Sequence, residues 1–266
     1  MSQRKLIDDA KDLLLNMLPR AGQMVRSFFH AEDLPSYKKG VLDIVTKADL
    51  ELDAYIQRKL SKAFPDIPIL TEETFKGDFD DFKNLPLLWV VDPLDGTANF
   101  SRGDVNFSIS VALVAKGEPI VGSIFAPVPS RLFWATRDDS YAYWNGRRIH
   151  VSNVTEIDHA VVCTDWSHVL DTRDQTTRFL RSVYGRVRQV KILGSAATDI
   201  TLLARGGVDI YHHVWLYPWD VAAAGLIASK AGATVTEIDG KPWNAFSKSV
   251  LAANPVLHAE ILKFTV

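Results

Sequence analysis

Apolar residues recur at helical spacing in the first part of the chain. The pattern over 6–28 repeats every three or four residues and predicts an amphipathic helix that is bent or broken at Pro19. A second amphipathic helix is predicted over 48–64, where large apolar residues are four apart. Between them, 34–49 contains proline and glycine and predicts an irregular, exposed segment.

The middle of the chain has apolar runs of strand length separated by turn residues. Residues 67–73 and 85–91 predict a short strand and a longer one. The run 107–128 predicts two strands about a Lys-Gly-Glu-Pro turn. Asn145 and Gly146 are a hairpin signal. This part of the chain is therefore predicted to form a sheet.

From residue 160 onward, strand-like runs alternate with helical patterns. Helices are predicted at 173–184, 195–205, 218–231 and 255–264. This alternation predicts an α/β fold. A single domain over 1–266 is expected, with loose subdomains at 1–155 and 156–266.

Composition and charge narrow the functional classes. Hydrophobic content of 47% and charged content of 23% are typical of a globular protein. The net charge of −2 does not favour nucleic acid as a partner. No run approaches the ~18 apolar residues of a membrane span, and the amphipathic N-terminus lacks the apolar core of a signal peptide. With a single cysteine, Cys163, these features favour a cytoplasmic protein.

Carboxylates follow the most hydrophobic predicted strand. Asp92 comes at its end, Pro93 is expected to end the strand pairing, and Asp95 can fold back beside Asp92. The Leu94 carbonyl and the Thr97 hydroxyl follow closely. These are hard oxygen donors, which suit Mg²⁺, Mn²⁺ or Ca²⁺ better than zinc. An ordinary Asp-Pro and Asp-Gly turn is the alternative interpretation.

Other acids fall at similar positions. Glu72 and Glu73 end the short strand, and Asp220 lies where a helix should begin. Asp220 taken alone is better read as a simple N-cap. If these acids converge without partners, they repel each other and shift towards protonation, so bound cations are the economical explanation.

Taken together, these residues resemble the signatures of the inositol monophosphatase family of Mg²⁺-dependent sugar phosphatases. The segment "WVVDPLDGTANF" (89–100) is similar to its Asp-Pro-Ile/Leu-Asp-Gly-Thr-x-Asn-Phe signature, and "WDVAAAGLIASKAGATV" (219–235) to its C-terminal block. The segments 43–49, 72–73 and 194–197 follow in the expected order. The resemblance implies a layered α-β-α-β-α fold and a phosphatase that requires two or three Mg²⁺ ions.

The resemblance also implies which residues bind the ions. Glu72, Asp92 and the Leu94 carbonyl would hold a first cation, and Asp92, Asp95 and Asp220 a second. With the ions bound, an acid-lined pocket accepts an anionic phosphate ester, and a bound ion can activate water for in-line hydrolysis.

Further roles follow from the same resemblance. Glu72 and, through water, Asp49 would support a third, weaker ion. The Thr97 hydroxyl, linked to Asp49, would orient the attacking water and accept its proton, so the predicted catalytic residues are Asp49, Thr97 and Glu72. Lys38 and Lys39 belong either to a flap near the metals or to a solvated loop.

Substrate contacts are expected from residues around the metals and from a later segment. The candidates are Asp95, Gly96, Thr97, Ser195, Ala196, His213 and Asp220. In inositol monophosphatases a glutamate seven residues before the last aspartate contacts the inositol hydroxyls, and here that position is His213. This histidine either binds substrate or is a core residue. Asp165, Trp166, Ser167 and His168 are candidates for the same pocket.

Several functional hypotheses remain open. The first is hydrolysis of a polyol or sugar phosphate such as myo-inositol monophosphate. The second keeps the metal core but changes the substrate to fructose-1,6-bisphosphate, histidinol phosphate or adenosine 3′,5′-bisphosphate. The third is a catalytically silent regulatory binding protein, against which the intact acid set argues. Cys163 as a nucleophile is disfavoured, since an apolar strand favours a buried structural thiol. The resemblance suggests a homodimer and inhibition by Li⁺.

Overall fold

The computed structural model describes residues 2–29, 36–38 and 44–265. Its helices are α1 (Gln3–Phe29), α2 (Lys47–Ala63), α3 (Asp80–Lys83), α4 (Thr97–Ser101), α5 (Arg173–Val183), α6 (Ala196–Ala204), α7 (Pro218–Lys230) and α8 (Pro255–Ile261). Its first strands are β1 (Ser36–Lys38), β2 (Ile44–Thr46), β3 (Ile69–Thr71), β4 (Leu88–Asp95), β5 (Ser108–Ala115), β6 (Glu118–Ala126) and β7 (Arg131–Thr136). The remaining strands are β8 (Ala142–Trp144), β9 (Arg147–Ile149), β10 (Val161–Thr164), β11 (Gln189–Lys191), β12 (Ile210–His213), β13 (Thr234–Thr236) and β14 (Val250–Ala253).

Helix α1 continues through Pro19, so of the predicted bend or break the break is wrong. Buried residues lie on both sides of the proline, including Leu18 and Ala21. A proline inside a helix costs about 3 kcal/mol. Burial of the apolar stripe along the whole helix offsets that cost, since each fully buried large apolar side chain contributes roughly 1.5–3 kcal/mol.

The larger sheet has seven strands in the order β3-β4-β5-β6-β7-β8-β9. Strand β4 pairs in parallel with β3 and antiparallel with β5. All eight residues of β4 are buried, because α1 and α2 cover one face of the sheet and α7 covers the other. This double cover explains why the strand reads as one continuous apolar run.

The smaller sheet has five strands in the order β11-β10-β12-β14-β13. Helices α6 and α7 lie between the two sheets and contact strands of both. Helices α5 and α8 cover the outer face of the smaller sheet. The layers are therefore α-β-α-β-α, which confirms the predicted fold class.

The connection between α1 and α2 differs from the expected irregular segment. Strands β1 and β2 pair antiparallel, and α2 begins directly after β2. The Lys-Lys flap falls largely outside the described residues: Lys39 is not described, and Lys38 is described only as the last residue of β1. The strand predicted over 67–73 is shorter, since β3 ends before the two glutamates.

The hairpin prediction is confirmed. Asn145 and Gly146 join β8 to β9, and both have positive φ angles, 48° and 78°. The two sheets separate between β9 and β10, within 150–160, and the division into subdomains stays a prediction. None of the helices in the described residues is both long and apolar enough to cross a membrane.

Candidate active site

Strand β4 delivers two carboxylates to the edge of a pocket. Asp92 pairs with Ser110 and Asp95 with Ser108, and the register shifts between them. Strand β4 resumes its pairing with β5 at Asp95, so Pro93 shifts the register but does not end the strand. The prediction that Pro93 ends the strand pairing is therefore wrong. The Leu94 amide donates to Asp92 Oδ1 at 2.9 Å.

Gly96 makes the turn from β4 into α4. Its φ angle is +87°, in the region that only glycine adopts readily. A Cβ here would lie 2.9 Å from the Asn106 carbonyl oxygen and 3.1 Å from the Ser195 Cβ. The turn thus requires glycine for both backbone conformation and space, and it brings Thr97 to the start of α4 beside the carboxylates.

Asp220 is the third residue of α7, not its N-cap, which was the interpretation favoured for this residue alone. Tyr217 is the N-cap, and the Tyr217 amide donates to Asp220 Oδ2 at 2.8 Å. Pro218 occupies the first turn, where its missing N–H costs nothing. This capping arrangement fixes the carboxylate at the mouth of the helix, facing the end of β4.

The three aspartates converge. One carboxylate oxygen from each of Asp92, Asp95 and Asp220 lies within 4.8 Å of the other two. Burial, followed by the negative charges of Glu72 and the other aspartates, raises the pKa of Asp92 well above its usual value. Burial raises the pKa of Asp95 to about 6, despite hydrogen bonds that oppose the shift.

These observations fit bound divalent cations. The donors are hard carboxylate oxygens, and none of the pocket-lining residues that the structure describes is lysine or arginine. Mutual repulsion disfavours the ionised form of Asp92, and a bound divalent cation would favour it.

Glu72 and Leu94 also line the pocket. Glu72 follows β3 directly, and its amide hydrogen-bonds to the Val91 carbonyl at 3.3 Å, so β3 and β4 present their ends side by side. Glu73 is half-buried and does not line the pocket.

Asp49 lies beneath Thr97. The Thr97 hydroxyl oxygen is 2.9 Å from Asp49 Oδ1 and 2.9 Å from the Leu94 carbonyl oxygen. The other Asp49 oxygen accepts hydrogen bonds from the Thr46 amide, at 2.8 Å, and from the Thr46 hydroxyl. Burial raises the pKa of Asp49, and these hydrogen bonds oppose the shift.

Ser195 lies behind Asp95 rather than in the pocket. Its hydroxyl and the Ala197 amide both donate to Asp95 Oδ2, the latter at 2.9 Å. Ser195 is buried and is not a lining residue, whereas Ala196 is. The hydrogen bond from Ser195 therefore orients the carboxylate of Asp95.

Two asparagines hold this region together, and the sequence reasoning missed that role. Asn99 Nδ2 donates to the Asn106 carbonyl at 2.8 Å and to the Leu193 carbonyl at 2.7 Å. Asn106 Nδ2 also donates to the Leu193 carbonyl, at 2.9 Å, and lies 3.3 Å from Asp199 Oδ1. Asn99 within the 89–100 signature was the available signal, but its partners are distant in sequence.

The part of the pocket wall around His213 contains several aromatic rings. The cavity has a volume of about 320 Å³ and is lined there by His213, Asp165, Trp166 and His168. Ser167 is buried and is not among the lining residues. His213 Nδ1 accepts a hydrogen bond from the Trp215 amide at 3.2 Å. Burial, and then the charge of His168, lower the pKa of His213 to about 3.

A buried polar group lies behind this wall. Cys163 is buried, as expected, and burial raises the pKa of its thiol. Asp199 is fully buried beside it, and burial raises the pKa of that carboxyl well above its usual value. The sequence did not identify Asp199 as a site residue, because one aspartate in a helical pattern does not indicate whether its side chain is buried.

The chain matches known proteins over nearly its whole length. The model of the inositol monophosphatase family matches residues 12–265. A Thermotoga maritima protein named fructose-1,6-bisphosphatase/inositol-1-monophosphatase is 37% identical over 257 residues, which cover 96% of this chain and 95% of that protein. The inositol-1-monophosphatase of Bacillus subtilis is 31% identical and the Nus factor SuhB of Vibrio cholerae 32%, each covering 91% of both chains.

Solved structures agree with this assignment. The Thermotoga maritima IMPase superposes with a TM-score of 0.85 at 35% identity, covering 97% of this chain and 96% of that one. The SuhB protein of Bartonella henselae superposes with a TM-score of 0.87 at 29% identity, covering 96% and 97%. With the carboxylate site and the layered fold, these matches show that the chain belongs to the inositol monophosphatase family and is a phosphatase of that family.

Proposed function

We propose that this chain hydrolyses the phosphate monoester of a polyol or sugar, such as myo-inositol monophosphate, in a Mg²⁺-dependent reaction. The observation that carries the proposal is the convergence of Asp92, Asp95 and Asp220 within 4.8 Å. The Thr97–Asp49 hydrogen bond lies directly beside this cluster. A site that only bound calcium for stability would need neither of those two residues.

Two or three Mg²⁺ ions would be held by residues on the pocket wall. Glu72, Asp92 and the Leu94 carbonyl would hold the first, and Asp92, Asp95 and Asp220 the second. When bound, the ions supply positive charge for the phosphate and the leaving oxygen and lower the pKa of water. A third ion would depend on Glu72 and, through water, on Asp49.

Thr97 and Asp49 handle the proton of the attacking water. A hydroxyl has one proton to donate, and Asp49 Oδ1 and the Leu94 carbonyl are equally distant acceptors. When the Leu94 oxygen is engaged elsewhere, the Thr97 proton points at Asp49. As the water oxygen bonds to phosphorus, the Thr97 oxygen accepts the proton of water while the Thr97 proton passes to Asp49 Oδ1.

The substrate is positioned by backbone and by the pocket wall. Amides at the start of α4, after Gly96, would donate to the phosphate oxygens. The water oxygen attacks in line, the bond from phosphorus to the alcohol oxygen breaks, and the alcohol leaves carrying a proton from solvent. No covalent intermediate with the protein is required.

The names of the relatives support a small alcohol or sugar phosphate. The Bacillus subtilis relative is named an inositol-1-monophosphatase, and the Thermotoga maritima relative carries a second name as a fructose-1,6-bisphosphatase. The latter name favours fructose-1,6-bisphosphate as a second candidate. We also propose a cytoplasmic homodimer that is sensitive to Li⁺.

Phosphate release from a panel of esters tests the proposal. The panel contains inositol, fructose, histidinol and adenosine phosphates, each assayed with Mg²⁺ and with EDTA. We expect Mg²⁺-dependent release that Asp95→Asn abolishes. A folded wild-type protein that binds Mg²⁺ and releases no phosphate from any ester would favour the regulatory binding protein instead.

A further inference from the structure

We propose that His213 is a fixed hydrogen-bond donor that selects leaving alcohols carrying an acceptor atom, such as a ring oxygen. The selection rests on the proposed phosphatase function of the same pocket. It concerns the part of the pocket wall that carries His213.

The backbone fixes the proton on one nitrogen of His213. The Trp215 amide donates to Nδ1, at 3.2 Å, so Nδ1 presents a lone pair. The ring is buried, and its lowered pKa keeps it neutral at physiological pH. A neutral imidazole with an accepting Nδ1 carries its proton on Nε2. His213 therefore offers an N–H donor.

That donor faces the pocket. His213 lines the cavity. Its Nε2 is not a buried atom without a hydrogen-bond partner. The neighbouring His212 shows the contrast within the same strand. Its Nε2 is sealed without a partner, and its ring stacks on Phe179 with the centroids 3.6 Å apart. Alternation along β12 sends one histidine to the pocket and the other to the core.

The remaining wall around His213 is mixed in character. No lysine or arginine is present among the lining residues that the structure describes, and Asp165 and His168 both line this side. Trp166, which is 40% exposed, offers a broad apolar face beside His213. A neutral donor beside an apolar face discriminates by hydrogen bonding rather than by charge, since a buried donor left without an acceptor is penalised.

A matched pair of esters isolates the acceptor atom. Tetrahydropyran-2-ylmethyl phosphate and cyclohexylmethyl phosphate differ only in one ring oxygen that replaces a methylene group. We expect the wild-type enzyme with Mg²⁺ to prefer the first by about tenfold in kcat/KM. His213→Leu should reduce the ratio to about one, and His213→Glu should invert it, because a carboxylate repels the lone pairs of the ring oxygen.

The outcomes separate the two proposals. If the active wild-type enzyme has the same kcat/KM for both esters, selection by His213 is wrong while the phosphatase function stands. The same holds if His213→Leu keeps the preference for the ester with the ring oxygen. If no ester of any kind reacts, the proposed function fails and the selection fails with it.

A readout independent of turnover tests the donor itself. Long-range ¹H–¹⁵N spectra at pH 7 report which ring nitrogen is protonated, and loss of one signal set in His213→Leu assigns the residue. We expect His213 to be protonated on Nε2 only. Protonation on Nδ1, or on both nitrogens, would overturn the inference.

Discussion

The Thr97 hydroxyl oxygen lies 2.9 Å from Asp49 Oδ1 and joins residues 48 positions apart in sequence. Thr97 opens α4 and Asp49 lies in the first turn of α2. The bond therefore ties the acid-bearing end of β4 to α2, a helix that covers one face of the larger sheet. Since the Asp49 carboxylate is buried and already accepts two hydrogen bonds from Thr46, its position is fixed before substrate arrives.

Removing the Thr97 hydroxyl tests this pair directly. Thr97→Val keeps the shape of the side chain but leaves no oxygen to accept the proton of water. We expect kcat to fall by about 100- to 10,000-fold, while the Mg²⁺ affinity measured by calorimetry changes little. Thr97→Ser, which retains the hydroxyl, is the matched control, and an equal loss of kcat in both variants would contradict the proton-transfer role.

The carboxylate cluster makes the stability of the metal-free protein depend on pH. The folded-state pKa of Asp95 is raised from 3.8 to about 6, so the folded protein binds more protons than the unfolded chain between these values. In EDTA, the free energy of unfolding is therefore highest below about pH 4, as far as Asp95 determines it. It falls as the pH rises to about 6. The shift corresponds to roughly 3 kcal/mol.

Thermal unfolding measures this effect. We expect Mg²⁺ to raise the Tm more at pH 8 than at pH 5, because ionised carboxylates bind the ion and protonated ones do not. Asp95→Asn should reduce the dependence on pH in EDTA, since the amide does not titrate, while Asp92 still contributes its own raised pKa. Asp239→Asn, at an exposed position, is the control and should keep the pH dependence of the wild type. A wild-type Tm in EDTA that rises between pH 5 and pH 8 would contradict the raised pKa of Asp95.

The asparagine pair predicts a structural cost. Asn99→Ala removes donors from the carbonyls of Asn106 and Leu193. The Asn106 carbonyl loses this donor, whereas the Leu193 carbonyl keeps the hydrogen bond from Asn106 Nδ2. An acceptor left unpaired costs about 1–3 kcal/mol, so we expect the free energy of unfolding in urea to fall by about 1–3 kcal/mol. Ser101→Ala, at an exposed position of the same helix, is the control and should cost under about 0.5 kcal/mol. Equal losses of unfolding free energy in the two variants would contradict a stabilising role for the Asn99 hydrogen bonds.

Gly122 allows α7 to approach the larger sheet. A Cβ at this position would lie 2.9 Å from both the Cα and the carbonyl oxygen of Ala223, and backbone cannot move aside easily. We expect Gly122→Ala to destabilise the protein by about 1–3 kcal/mol and to weaken Mg²⁺ binding, because the same helix carries Asp220. Calorimetric Mg²⁺ titration of the folded variant measures this, and an unchanged affinity would show that α7 is not displaced.

The acids of the site were predictable because their signals are local. Asp92, Asp95 and Gly96 lie in one short segment, where the end of an apolar strand, a proline and a glycine place side chains at a sheet edge. Asp220 was located correctly at a helix start, but its exact place in the first turn was not. The N-cap is Tyr217, a residue type with low capping preference, so tertiary context decided the boundary.

Contacts between distant segments were not predictable. Ser195 was expected near the substrate, yet it donates to Asp95 from behind, a relation that depends on how α6 packs between the sheets. The continuity of α1 through Pro19 depends in the same way on burial against the larger sheet. In each case packing outweighed a local preference that the sequence alone displays.

The Mg²⁺ dependence of phosphate release in Asp220→Asn tests the central claim most directly. The amide retains an oxygen to accept the Tyr217 N–H, so the helix cap is preserved while the charge is lost. With myo-inositol monophosphate as substrate, the account predicts release in the wild type and in the exposed control Asp239→Asn, and a loss of at least about 100-fold in Asp220→Asn at any Mg²⁺ concentration. An Asp220→Asn enzyme with the rate and Mg²⁺ dependence of the wild type would contradict a metal-assisted mechanism at this site.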